Sequence, residues 1–405
     1  MQRIAMPWLV YELTGSAFML GVVSFAGQIP TFLIAPFAGV LTDRWNRYNV
    51  LIVAQLLGMM QALAITLIYY FGTVEVWHIV LLSVVWGIFN AFDVPSRQSF
   101  VVDLVGDKED IGNAIALNSL MFNGARLIGP SVAGVLLATT GEGLCFLINT
   151  ISYLFVIISL FAMKVRKHEK TKSEKNIMSE MAEGIKYAFG FTPIKYVIIL
   201  LAVVSIMSMP YVVLIPVFAR EILGGGSEAY GFIVGAAGLG ALAGGLMLAS
   251  RDKILQINSL LPGAAAVFGA GVIGLSFTRS LPLSMILAVV SGFGIMLHTA
   301  ASNTVLQTIT DEDKRGRVMS LYTMAIMGTA PFGSLLSGAL AKWIGTPFTI
   351  MSGGLVCLLA ALLFYRKLPD LIMAARPVYE HHGEKSGKGN INAAVPVDAE
   401  TADRV

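Results

Sequence analysis

Apolar runs of about 20 residues follow one another from residue 18 to residue 365, and this feature excludes most folds. A helix rises about 1.5 Å per residue, so about 20 apolar residues cross the ~30 Å hydrocarbon layer of a bilayer. The runs are apolar throughout rather than at alternate positions, which sets aside the strands of a membrane barrel. Only 13% of residues are charged and 56% are apolar, where a soluble domain is about 25% charged. The pattern predicts an all-α, multi-pass membrane protein embedded in the lipid bilayer.

The net charge of +3 suggests no nucleic-acid partner. Cys145 and Cys357 sit inside apolar runs in opposite halves of the chain and read as core residues. Neither disulfide nor metal spacing is present, so no cofactor or metal is expected.

The first run, residues 4–13, covers only about half a bilayer, and Tyr11 to Ser16 reads as a tight external turn. No cleavable leader is expected, and Met1 reads as an internal start or a truncation of a longer first helix. Full spans are expected at 18–41, 50–71, 76–94, 111–139 and 144–163, then at 194–218, 230–249, 254–277, 283–307, 318–342 and 348–365. Between the two sets lies a basic stretch with Lys164, Arg166, Lys167, Lys170, Lys172 and Lys175. Ile177, Met181, Ile185 and Phe189 follow at four-residue spacing, which suits an amphipathic helix on the membrane face; a solvated linker is the other reading. The expected organisation is a six-helix bundle at 1–163 with an incomplete first helix, a linker at 164–193, a second bundle at 194–368, and a polar, disordered tail at 369–405.

An internal repeat supports that division. An offset of 204 residues (311 minus 107) lays 107–141 over 311–345. Gly112, Gly124, Gly129, Gly134 and Gly141 then fall on Gly316, Gly328, Gly333, Gly338 and Gly345. Chance would align about one, so half of the chain reads as a duplicate of the other. The two copies keep one orientation, as expected for halves related by an axis normal to the membrane.

The loop between the second and third runs is Gly39-Val-Leu-Thr-Asp43-Arg44-Trp-Asn-Arg47. It resembles the G-x-L-x-D-R-x-x-R signature of the major facilitator superfamily, with Gly39, Leu41, Asp43, Arg44 and Arg47 matching. Asn46 stands where that family usually has Gly. The resemblance covers the chain up to the tail and implies twelve helices around a central cavity, here with the first apparently truncated. Residues 5–16 and 90–118 are similar to the bacterial exporter branch related to the enterobactin exporter. If the signature loop is cytoplasmic, external loops hold only Arg220, Arg279 and Lys342 as cations. The positive-inside bias therefore puts that loop, the linker and the C-terminus inside.

Several residues are candidates for function. Arg126 falls near mid-membrane, where an unpaired Arg costs roughly 2.5–3.5 kcal/mol on insertion scales. It is read as a substrate or coupling contact, or else as one member of a structural pair or a snorkelling side chain. Asn123, Asn90, Gln28 and His298 are the other polar candidates for substrate or coupling contacts; a helix–helix hydrogen bond is the plainer role for His298. Trp86, Phe89 and Phe122 would line an aromatic cavity or simply pack. Asp93 and Arg97 share a helix face unless Pro95 breaks it. They are read as part of a cytoplasmic gate with the signature loop, as a proton site, or as a surface pair. Gly129-Pro130-x-x-x-Gly134 resembles the Gly-Pro motif of the superfamily's exporters; ordinary close packing explains it equally. Ser83 precedes Gly87 where drug–proton antiporters of the superfamily often carry Arg.

Together these features predict a proton-linked exporter of small amphipathic molecules, monomeric and resident in a bacterial inner membrane. An uncoupled facilitator or importer is the near alternative, and a membrane-embedded enzyme or receptor the distant one.

Overall fold

The computed structural model describes residues 1–385 apart from residues 45, 105–110, 164–176, 251–253 and 312–313. The side chains of 35–36, 39–44, 98–99, 101–104, 111–112, 115–116, 119–120, 122–123, 126–127, 177–182, 254–259 and 375–385 also lie outside the description. Among the described residues all regular structure is helical.

The first half comprises α1 (Gln2–Thr14), α2 (Ala17–Arg44), α3 (Arg47–Phe71), α4 (Val76–Leu104), α5 (Ile111–Thr140) and α6 (Glu142–Ala162). A short helix, α7 (Ile177–Gly190), follows. The second half comprises α8 (Thr192–Val217), α9 (Ser227–Ala249), α10 (Ile254–Phe277), α11 (Leu281–Ile309), α12 (Arg315–Thr323), α13 (Ala330–Ile344) and α14 (Thr346–Lys385). A π-helical turn, Phe218–Ile222, extends α8, and another, Met324–Gly328, joins α12 to α13. Ten helices among the described residues are long and apolar enough to cross a membrane. Large apolar side chains such as Val53, Phe155, Phe161, Ile286 and Leu363 stand exposed around the outside. In water that surface would be an aggregation hazard; in a bilayer, lipid covers it.

α1 departs from the expected turn at 11–16. The helix continues through Thr14, and Gly15 ends it in the left-handed conformation at φ 56°, its N–H bonded to the Tyr11 carbonyl. Glycine adopts that conformation at no steric cost. α4 runs unbroken through Pro95 and α5 through Pro130. α14 remains helical past residue 368 to Lys385.

Within the first half, α2 packs on α4, and α3 on α4 and α6; within the second, α11 packs on α9 and α10, and α14 on α8 and α10. The halves meet where α5 crosses α9 and where α2 crosses α13. The internal repeat is visible in the backbone. Gly141 and Gly345 each sit between two helices at φ 80° and 81°. Gly134 and Gly338 each occupy one of the two crossings. A Cβ on Gly134 would lie 2.6 Å from the Gly231 Cα, and one on Gly338 would lie 3.0 Å from the Gly21 Cα.

Candidate functional site

The signature loop joins α2 to α3 at one end of the bundle. Asn46 caps α3: its side chain accepts a hydrogen bond from the Tyr48 N–H at 3.0 Å. This explains an Asn in place of the family's Gly, since Asn is among the best N-caps. Arg47 opens α3 and is half-buried. The Tyr48 hydroxyl donates to the Leu160 carbonyl of α6 at 3.0 Å, fixing the base of α3. Gly39, Asp43 and Arg44 lie on the last turns of α2, but their side chains are outside the described set.

One helical turn links Asp93 to Arg97, whose guanidinium donates to the carboxylate at 2.8 Å. Gln55 of α3, almost wholly buried, donates its amide to the same carboxylate. Asp93 thus ties α3 to α4 in the signature-loop half of the bundle. The side chains of Arg126 and Asn123 lie outside the described set. Asn90 is half-buried on α4.

Gln28 spans the two halves at α2 and α13, donating to Ser334 Oγ at 3.0 Å and to the Ser24 carbonyl at 3.1 Å. Beside it Phe332 of α13 meets Phe25 and Phe32 edge-on, with centroids 6.3 and 6.2 Å apart. His298 is fully buried in α11, with Nδ1 3.1 Å from the Leu261 carbonyl of α10. A carbonyl only accepts, so Nδ1 carries the proton and the bond joins two helices of one half.

Of the Gly-Pro motif, Gly134 makes the close approach to α9, and Ser227 Oγ donates to its carbonyl at 3.4 Å. Among the described residues, no atom lies within 4 Å of a Cβ built on Gly129. Pro130 touches the same crossing through its carbonyl, 2.8 Å from a Cβ built on Gly231.

Several contacts were not legible in the sequence because their partners come from distant segments. At the end away from the signature loop, the Tyr11 hydroxyl donates to Glu221 Oε1 at 2.5 Å, bridging α1 and the turn after α8. Trp8 stacks on Tyr230 with centroids 6.2 Å apart, bridging α1 and α9. Tyr69 donates to Glu142 at 2.9 Å, and Glu12 lies within electrostatic reach of Glu142. Deeper in the bundle, the Arg3 guanidinium stands 5.1 Å over the Trp86 ring. The halves are therefore sealed at the end away from the signature loop.

This helical architecture matches transporters of known structure. The chain aligns with a nucleoside transporter, NupG, at TM-score 0.71 and 11% identity over 90% of this chain and 94% of that one. It aligns with the inward-open xylose transporter XylE of E. coli at TM-score 0.67 and 14% identity, covering 90% and 92%. Residues 1–385 match the family model described as "Transmembrane secretion effector", and the chain belongs to that family of the major facilitator superfamily. It is 24% identical to the staphyloferrin A transporter of Staphylococcus aureus over 90% of this chain and 91% of that one. It is 23% identical to the multidrug efflux pump Tap of Mycolicibacterium fortuitum, covering 92% and 93%, and 24% identical to macrolide efflux protein A of Streptococcus pyogenes, covering 88% and 89%. The chain is a multi-pass membrane transporter with the relatives of an exporter.

Proposed function

We propose that this protein is a proton-coupled exporter of small amphipathic molecules that works by alternating access. The carrying observation is the pair of glycine crossings, α5 on α9 and α2 on α13, which seal the bundle at one end. Two repeat-related halves meeting at such narrow crossings can rock about a site at mid-membrane. Efflux names among the relatives support the outward direction. Cation placement supports a cytoplasmic signature loop and C-terminus in a bacterial inner membrane, which makes the sealed end the external one. In this reading Asp43, Arg44, Arg47, Asp93 and Arg97 act at the cytoplasmic gate. Arg126, Asn123, Asn90 and Gln28 face substrate or the coupling proton, while His298 holds α10 to α11. One charge crossing about 100 mV supplies roughly 2.3 kcal/mol, enough for about a fifty-fold gradient.

The test is proton flux in liposomes under an imposed pH gradient, across siderophores, drugs and dyes. Substrate-dependent proton flux lost in Arg126→Ala supports coupled export. Substrate movement without proton flux means a facilitator and overturns the coupling.

A further inference from the structure

A groove of about 520 Å³ lies beside the α5–α9 crossing. Phe232, Ala236 and Leu239 of α9 and Met285 and Ile286 of α11 line it from the second half, and Ser131 of α5 lines it from the first. Successive residues of a helix are turned by about 100°. Ile128, Val132 and Val135 mark the exposed face of α5, and Gly134 marks the face against α9. Ser131 falls between the two, so the groove is on the lipid side of the crossing rather than in the centre of the bundle. Leu239 and Ile286, 49% and 61% exposed, leave it open to the bilayer.

Backbone packing explains why a groove forms here. α9 and α11 press together at two glycines: a Cβ on Gly240 would strike the Val289 carbonyl oxygen, and one on Gly292 would strike that of Ala237. Nearer the sealed end, Phe232, Met285 and Ile286 stand where glycine does not, and side chains form the walls. At about 1.5 Å per residue, Ser131 lies about 14 Å from the end of α5, Leu239 about 18 Å from the start of α9 and Ile286 about 8 Å from the start of α11. The groove therefore runs through the leaflet at the sealed end, which is about half of a ~30 Å hydrocarbon layer. It is continuous with the lipid-covered surface, and its walls suit an acyl chain.

Arg279 supplies a second element. It is exposed in the turn between α10 and α11, at headgroup level, three residues before Pro282, which also lines the groove. Three residues of chain reach at most about 11 Å. Among the described residues, no carboxylate forms an ion pair with it. A guanidinium there complements a lipid phosphate in charge and in fork geometry.

We infer that a phospholipid of this leaflet docks here, with one acyl chain in the groove and its phosphate on Arg279, and holds the sealed end closed. The walls come from both halves, so separation of α5 from α9 dismantles the site, and the bound lipid stabilises the closed arrangement by linkage. The site needs neither proton coupling nor a direction of transport; its effect on opening rests on the alternating-access reading.

The test uses the purified full chain in maltoside detergent with palmitoyl-oleoyl-phosphatidylglycerol or palmitoyl-oleoyl-glycerol added back. Native mass spectrometry should show one retained phospholipid per chain. Ser131→Phe fills the groove and Ile286→Trp blocks it from a side chain that already faces lipid; both should lose the phospholipid. Ile158→Phe, on the exposed face of α6, should keep it. Arg279→Gln should weaken retention of the phospholipid about fivefold, the scale of one charge-assisted contact, and leave the diacylglycerol unchanged. Added phospholipid should lower maleimide labelling of Ser227→Cys about threefold, and should have no effect once Ser131→Phe is also present. Absence of a retained lipid, detergent in its place, displacement of the lipid by transported dyes, equal retention in Ser131→Phe and Ile158→Phe, or equal losses of both lipids in Arg279→Gln overturns the inference. Failure of alternating access appears differently: Ser227→Cys labelling then stays low in Gly134→Leu as well, while groove-dependent lipid retention persists.

Discussion

Gly134 and Gly338 are repeat partners 204 residues apart, and each lies where one half of the bundle touches the other. Backbones this close leave no room for a side chain. A Cβ on Gly134 would also sit 2.8 Å from the Ser227 carbonyl oxygen, and one on Gly338 would sit 2.9 Å from that of Ala17. Overpacking of this kind costs about 1–3 kcal/mol, which shifts a two-state equilibrium roughly 5- to 150-fold.

Gly134→Leu should therefore favour the conformation in which the sealed end opens. Ser227 is buried beside Gly134. A cysteine placed there reports opening through its reaction with a membrane-impermeant maleimide, and Cys145 and Cys357 are both buried. Labelling should rise at least fivefold in Gly134→Leu and stay unchanged in Gly129→Leu, where an added Cβ meets no atom of the described residues within 4 Å. Unaltered labelling in Gly134→Leu would sink the idea.

The same glycines show what the sequence could reveal. Spans, repeat and signature loop are local or periodic signals, so apolar runs and five aligned glycines carried the architecture. Sequence could not rank Gly129 against Gly134, because the difference lies in α9, nearly 100 residues away. Arg3 with Trp86 and Tyr11 with Glu221 were hidden for the same reason: each residue is ordinary alone and acquires meaning only from a distant partner. Glu12 falls in the stretch read as an external turn, and nothing near it in sequence announces Glu142. Asn46 was legible as a departure from the family pattern, but its capping bond needed coordinates.

Asp93 binds two residues of very different burial, and the two should differ in stability effect. The Arg97 side chain is 54% exposed, and exposed pairs contribute about 0–1 kcal/mol. Gln55 is 2% exposed, and stranding a buried amide costs about 1–3 kcal/mol. Asp93→Ala should therefore lower the thermal unfolding midpoint in detergent clearly more than Arg97→Ala. Equal midpoints for the two variants would mean that Gln55 finds another acceptor.

His298 should prove structural. Its buried ring joins α11 to α10 through the Leu261 carbonyl. His298→Ala leaves a void and removes the bond between the two helices, costing about 2–4 kcal/mol by analogy with other large-to-small core changes. His298→Asn keeps a donor near Nδ1 and should retain transport and proton stoichiometry. Loss of proton flux in His298→Asn at an unchanged unfolding midpoint would instead make the imidazole part of the proton path.

Tyr11 and Glu221 should act as a latch across the sealed end. Tyr11 is 7% exposed and donates to Glu221 across the boundary between the halves. A hydrogen bond to a charged group contributes about 1.5–3 kcal/mol, so its loss should raise the open population about tenfold or more. Tyr11→Phe removes only the hydroxyl and keeps the packed ring. Tyr69→Phe is the matched control: it removes an equivalent bond to Glu142, but α3 and α6 belong to one half and move together. Double electron–electron resonance between spin labels on Leu13 and Leu223 would follow the separation directly. Tyr11→Phe should populate a longer distance, and Tyr11→Phe with Glu221→Gln should add little, as expected for two members of one interaction. If Tyr69→Phe lengthens the distance as much as Tyr11→Phe does, the effect belongs to the general stability of the outer rim, and the bond between the halves has no special role in opening it.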